Sequence, residues 1–167
     1  MTEWALMIAQ LAVMAGLTGW MFTGVRDNWM YPRLNEAAVA HVVQFAFMAE
    51  QFPDEYAPVK HRKVGSPGVV RAMYYAIVLW ETVALVLLAL GTGALALALM
   101  DLVGGDTARG LAILGATAFT VNWFGFLVGG NHYCYWYCHQ GSQHTHFALL
   151  LSGILTILLL ALGGAAA

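Results

Sequence analysis

Residues 129–146, GGNHYCYWYCHQGSQHTH, hold four of the six histidines and both cysteines of the chain. His132, Cys134, Cys138, His139, His144 and His146 are candidate metal ligands. Imidazole and thiolate suit zinc and copper, and thiolate favours Cu(I). If the preceding helix runs past Gly130, Cys134 and Cys138 stand one turn apart on one face. His132 and His139 then lie on the neighbouring face, and His144 or His146 returns from the next helix to complete a tetrahedron. The spacing matches no zinc signature, and no C-x-x-C-H is present for covalent haem. Haem held without a covalent bond, through one or two histidines, stays open. His41 is an additional candidate ligand, and His61 lies in the same loop. The opposing reading is a polar interfacial turn, since tyrosine and tryptophan favour the membrane–water boundary. Reactive thiols are the weakest reading. No Ser–His–Asp set, phosphate loop or zincin motif is present, so no catalytic residues are assigned.

These residues must be placed by apolar helices. The chain has 167 residues, 60% hydrophobic and 10% charged, with a net charge of −2. Its mean hydropathy is +0.70. A soluble domain carries about 25% charged residues, so this chain reads as solvated by lipid, with no basic surface for nucleic acid. Four spans are expected, over about 4–25, 72–100, 108–130 and 147–163. Each approaches the ~20 apolar residues needed to cross a bilayer, and each must be helical to satisfy its backbone. The first is too long for a signal peptide's ~7–15-residue apolar core and reads as retained. The Gly/Ala-rich LGTGALALAL of the second span suits either close helix packing or a plain lipid-facing stretch.

Arg26, Arg33, Lys60, Arg62, Lys63 and Arg71 all fall between the first and second spans. Only Arg109 lies elsewhere. The asymmetry predicts that loops 26–71 and 131–146 are cytoplasmic and both termini periplasmic. Thiols on that side stay reduced. The KHRK run at 60–63 reads as an orientation signal near anionic headgroups. Within the first loop, Val39, Val42, Val43, Ala46 and Phe47 recur at helical spacing, predicting an amphipathic helix over about 36–50 at the interface.

Glu81 is the carboxylate inside a span, and such a residue is a functional candidate. It lies roughly 15 Å in from Arg71, and Asn122 lies roughly 12 Å in from Gly130, at 1.5 Å per residue. A Glu81–Asn122 hydrogen bond is expected. A proton-carrying role for Glu81 is the sharper alternative.

Three stretches carry a resemblance: NEAAVAHVVQFAFMAEQFP, SPGVVRAMYYAIVLWETVALVLLALG and FGFLVGGNHYCYWY. They resemble a bacterial family of predicted small integral membrane proteins whose domain has no assigned function. Asn35, His41, Val42, Phe52, Pro53, Tyr75, Glu81, Gly129, Gly130, Trp136 and Gln140 match its pattern. Where the family carries Glu-Trp-Phe, this chain has Asn131-His132-Tyr133. Cys134, Cys138, His139, His144 and His146 are additions to the pattern. The resemblance implies a four-span topology and no activity.

The expectation is therefore an all-α, four-helix transmembrane bundle forming one domain over residues 1–167, with an amphipathic cytoplasmic-side helix. The first functional reading is a non-catalytic accessory subunit of a larger complex in the bacterial inner membrane, in contact with lipid and other integral membrane subunits. The second is a protein binding copper, zinc or haem through residues 132–146, for electron transfer or metal handling. The third is a small proton-coupled transporter working through Glu81.

Overall fold

The computed structural model describes residues 2–162 and is all-helical among them. Four long helices are apolar enough to cross a membrane: α1 (Glu3–Met30), α5 (Pro67–Ala98), α6 (Gly105–His132) and α8 (Gln140–Ala161). Between α1 and α5 lie α2 (Pro32–Val43), α3 (Ala46–Gln51), α4 (Pro53–Tyr56) and a 3₁₀ turn at Lys60–Arg62. A single-turn α7 (Tyr135–Cys138) joins α6 to α8.

The four-span expectation holds, with longer helices than hydropathy outlined. The predicted ends at Val25 and Gly130 move to Met30 and His132, and α8 starts at Gln140 instead of Phe147. Hydropathy marks the lipid-embedded part of a helix, and these helices project beyond it. Gly163, the predicted end of the last span, lies outside the described residues.

The α5–α6 pair is the spine of the bundle. A Cβ on Gly91 would come within 2.5 Å of Ala112 Cα, and one on Gly115 within 2.6 Å of the Leu87 carbonyl. Both glycines therefore let two backbones approach closely, as the Gly/Ala-rich span suggested. Gly93, in the same run, faces open space. Continuing the antiparallel Gly91–Ala112 register brings Glu81 level with Asn122. Gly153 of α8 sits against Thr120 and Phe119 of α6 in the same way.

Polar contacts tie α1 to this spine. At the loop-distant end, Gln10 Nε2 donates to the carbonyls of Leu159 at 3.0 Å and Leu160 at 3.4 Å. Its Oε1 accepts from Arg109 Nε at 3.3 Å, and Arg109 also pairs with Glu3. Arg109, the lone cation outside the first loop, is thus buried and neutralised. At mid-helix, Thr18 and Thr92 hydroxyls share a hydrogen bond of 2.8 Å.

The end of α1 has a specific cause. Proline at 32 disfavours helical geometry at Tyr31, which takes φ −126° and ψ 53°. Proline also has no N–H for the Asn28 carbonyl one turn back. The Tyr74 hydroxyl of α5 supplies the missing donor at 2.5 Å. Pro32 then opens α2, where a missing N–H costs nothing.

The predicted amphipathic helix over 36–50 is broken. It divides into α2 and α3 at Phe45, whose φ of 53° is left-handed. No glycine or proline marks this break. Phe45 is 2% exposed and packs with Met48 and Cys134 in a small core of its own. Burial of its ring compensates for the backbone strain of about 1–2 kcal/mol.

Two outcomes test this packing. Gly91→Leu should prevent folding, because the neighbour is backbone and overpacking already costs about 1–3 kcal/mol where side chains can yield. Gly93→Leu should fold and melt like the parent in mild detergent. Tyr74→Phe should lower stability by about 0.5–1.5 kcal/mol, by removing the donor to the half-buried Asn28 carbonyl. Thermal melts followed by circular dichroism distinguish these variants.

Candidate functional site

The 132–146 residues lie at the same end of the bundle as the first loop and pack against it. Arg62 Nη1 donates to the His132 carbonyl at 3.1 Å. The Phe45 ring stands 5.6 Å from Tyr133, and Phe52 stands 5.1 Å from Tyr137. The turn is therefore one face of an aromatic core, with the first loop as the other.

The candidate ligands divide into three surroundings. The α6 helix does not continue past His132: Cys134 takes a left-handed φ of 58°, so Cys134 and Cys138 do not share a helical face. Cys134 is buried and Cys138 half-buried among the loop aromatics. His132 and His144 are exposed. His139 and His146 turn inward and line a cavity of about 350 Å³ together with His41. Among the described residues, no three of His, Cys, Asp or Glu are grouped to hold a metal ion. The turn at Cys134 sends the thiols into the loop aromatics and the imidazoles of His139 and His146 towards His41.

Burial pushes both thiols above the ordinary cysteine value, with Arg62 partly opposing the shift at Cys134. The thiolate is the reactive and metal-binding form, so this setting disfavours it. His139 is shifted the opposite way: burial first, then repulsion from His41, lowers its pKa. It is held as neutral imidazole.

The aromatic side chains continue inward. The His146 ring stacks on Phe126 at 4.7 Å and on Trp123 at 5.4 Å. His139 lies 5.4 Å from Tyr135 and 5.7 Å from Phe47. His146 Nδ1, Trp123 Nε1 and Asn122 Nδ2 are buried without a hydrogen-bond partner. Unpaired buried polar atoms are rare in native proteins, and three of them cluster on this side of α6 and α8.

The predicted Glu81–Asn122 hydrogen bond is replaced by another. Asn28 Nδ2 donates to Glu81 Oε2 at 2.6 Å. The two residues are nevertheless level in the α5–α6 register. The extension of α1 by more than a turn places Asn28 within reach of the carboxylate. Asn122 instead lines a second, larger cavity of about 480 Å³, with Val39 and Val42 of α2 and Ile77 and Trp80 of α5.

Reading residues singly missed both cavities, the Asn28 contact and the Gln10–Arg109–Glu3 network. One signal for the larger cavity was present. Asn122, Gly125, Phe126 and Gly129 recur at i, i+3, i+4 and i+7, so they share one helical face.

Four long apolar helices, antiparallel packing and a reciprocal pair of loops at one end define a multi-pass integral membrane protein. A family model described as predicted small integral membrane protein (DUF2165) matches residues 6–163, and the chain belongs to that family. No curated protein and no solved structure matches the chain.

The contrast between the thiols is testable. A small maleimide should modify Cys138 in the folded protein and leave Cys134, 5% exposed, unmodified until denaturation. Modification of Cys138 should go on rising with pH past the point where an ordinary thiol levels off, because burial raises its folded pKa. Fast labelling of both at neutral pH would contradict the packing. The backbone at Cys134 gives a second check. Cys134→Gly should be more stable than Cys134→Ala by about 1 kcal/mol, since glycine carries no left-handed penalty.

Proposed function

We propose that this chain is a non-catalytic accessory subunit that packs against another integral membrane protein through α1. The observation that carries this reading is the outer face of α1. Gln10, Met14, Met21 and Val25 point into the bundle. The opposite side carries Ala5, Ala12, Gly16, Gly19 and Thr23, all exposed. A Cβ on Gly16 or Gly19 would meet nothing in the chain within 4 Å.

Without a hydrophobic drive between helices in lipid, association relies on close packing, and small residues supply it. The outer face of α8 is different: Leu151, Leu155, Leu158 and Leu162 are exposed there. That is a surface suited to acyl chains. Glycine in a helix costs roughly 1 kcal/mol relative to alanine, and nothing inside this chain requires it at 16 or 19.

The proposed setting is the bacterial inner membrane. Six cations gathered at the loop end favour that end as cytoplasmic, with both termini periplasmic. A membrane-impermeant maleimide should label Thr2→Cys, and spare Lys60→Cys, in a Cys134→Ala/Cys138→Ala background in intact spheroplasts. The reverse pattern would invert the topology.

The subunit reading is tested by native mass spectrometry on membranes extracted in mild detergent. The parent chain should appear in a stoichiometric complex with another membrane protein. Gly16→Leu/Gly19→Leu should release it as a folded monomer. A monomer or a homo-oligomer from the parent chain would refute the reading.

A further inference from the structure

We propose that the larger loop-end cavity is a binding site for a membrane quinone, a neutral planar dicarbonyl ring on an apolar tail. No residue of α1 lines the site, and the α5 residues that do (Met73, Ala76, Ile77 and Trp80) are not those that bond α1 at the loop end (Tyr74, Glu81 and Thr82). Its wall is built by α5 and α6, with α2 across it, and it holds about 480 Å³. Small-molecule sites typically measure roughly 300–1,000 Å³.

Two independent features mark it as a site. The first is Asn122, which lines the cavity and is 5% exposed. Its amide nitrogen has no partner in the protein. As placed, that nitrogen has no surface open to the cavity; rotation about the roughly two-fold amide torsion would bring it there. The second is the pair Gly125 and Gly129, which also line it. A Cβ on either would meet nothing within 4 Å. They differ from Gly91, Gly115, Gly130 and Gly153, each of which faces a neighbour in close contact. At 125 and 129 the missing side chains keep space open and serve no close approach within the chain.

The lining selects the ligand. The larger cavity is almost entirely apolar, and neither it nor the adjoining one has Lys, Arg, Asp or Glu among its lining residues. A phospholipid phosphate or a fatty-acid carboxylate would have no counter-charge, and burying one unpaired is costly. A neutral head is required. Val39, Val42, Phe126 and Tyr135 line both cavities, so the two adjoin. The smaller one adds His41, His139 and His146, whose ring nitrogens can donate to carbonyl oxygens. Stacked rings at Phe126 and His146 offer a flat surface for a flat head. Trp80 and Val121 line the larger cavity and are 43% and 47% exposed, so it opens towards lipid, where a tail would lie. Planarity, neutrality, paired acceptors and a lipophilic tail occur together in quinones. The proposal concerns binding alone.

The test is equilibrium binding of decylubiquinone to the full chain in lipid nanodiscs, with empty nanodiscs subtracted. Saturable binding near one per chain is expected. Gly125→Phe should abolish it with the melting temperature retained. If Gly125→Phe does not fold, Gly129→Leu takes its place. Asn122→Leu should weaken binding roughly three- to tenfold, the worth of one neutral hydrogen bond. The same change should leave the melting temperature unchanged or higher, because it removes an unsatisfied buried amide. Oleate and dodecanol should not compete. Binding that is unsaturable, indifferent to the cavity-filling variants, or equally displaced by dodecanol or oleate would overturn the proposal.

Discussion

Proline at position 32 has no N–H to offer the Asn28 carbonyl, and the loop end of the molecule follows from that vacancy. The α1 helix must stop at Met30, and the Tyr74 hydroxyl takes over the abandoned carbonyl at 2.5 Å. The Asn28 side chain, in the last turn, reaches Glu81. One residue thus accepts from α5 through its backbone and donates to α5 through its side chain. This double contact fixes where α1 leaves the bundle. Beyond it, α5 and α6 continue without α1 beside them, and α2 turns across the uncovered flank.

The same geometry divides the residues of the histidine- and cysteine-rich turn. Its residues are drawn to two destinations. The Phe45-centred core takes Cys134 and Cys138, where apolar surroundings favour the neutral thiol. The space under α2 takes His139 and His146 beside His41. Two of the three left-handed residues, Phe45 and Cys134, meet in the first of these cores. Each turns its chain sharply, and the burial of the other's neighbourhood holds both bends in place.

The helices were legible in the sequence because lipid imposes a simple rule: backbone groups must be satisfied within a continuous apolar run. Helix ends were less legible. Gln140–His146 is polar yet helical, since it projects past the lipid, and hydropathy reads such residues as loop. The break at Phe45 carried no sign, because phenylalanine has no intrinsic preference for φ of 53° and is held there by tertiary packing. Glu81 and Asn122 stand level in the α5–α6 register. Their pairing failed because it depended on Asn28, which lay beyond the apparent end of its helix. The glycines at 125 and 129 had the right period beside Asn122. Their meaning needed the contrast with Gly91 and Gly115, which only coordinates supply.

At the loop end α2 covers the flank of α5 and α6 that α1 leaves free. Spin labels on Val39→Cys and Ile77→Cys, in a Cys134→Ala/Cys138→Ala background, test it directly in nanodiscs. With α2 in place, the doubly labelled protein should show strong dipolar broadening, absent from either single label. Spectra equal to the sum of the single labels would mean that α2 lies away from the bundle on the bilayer surface, and the cavity beneath it would not exist.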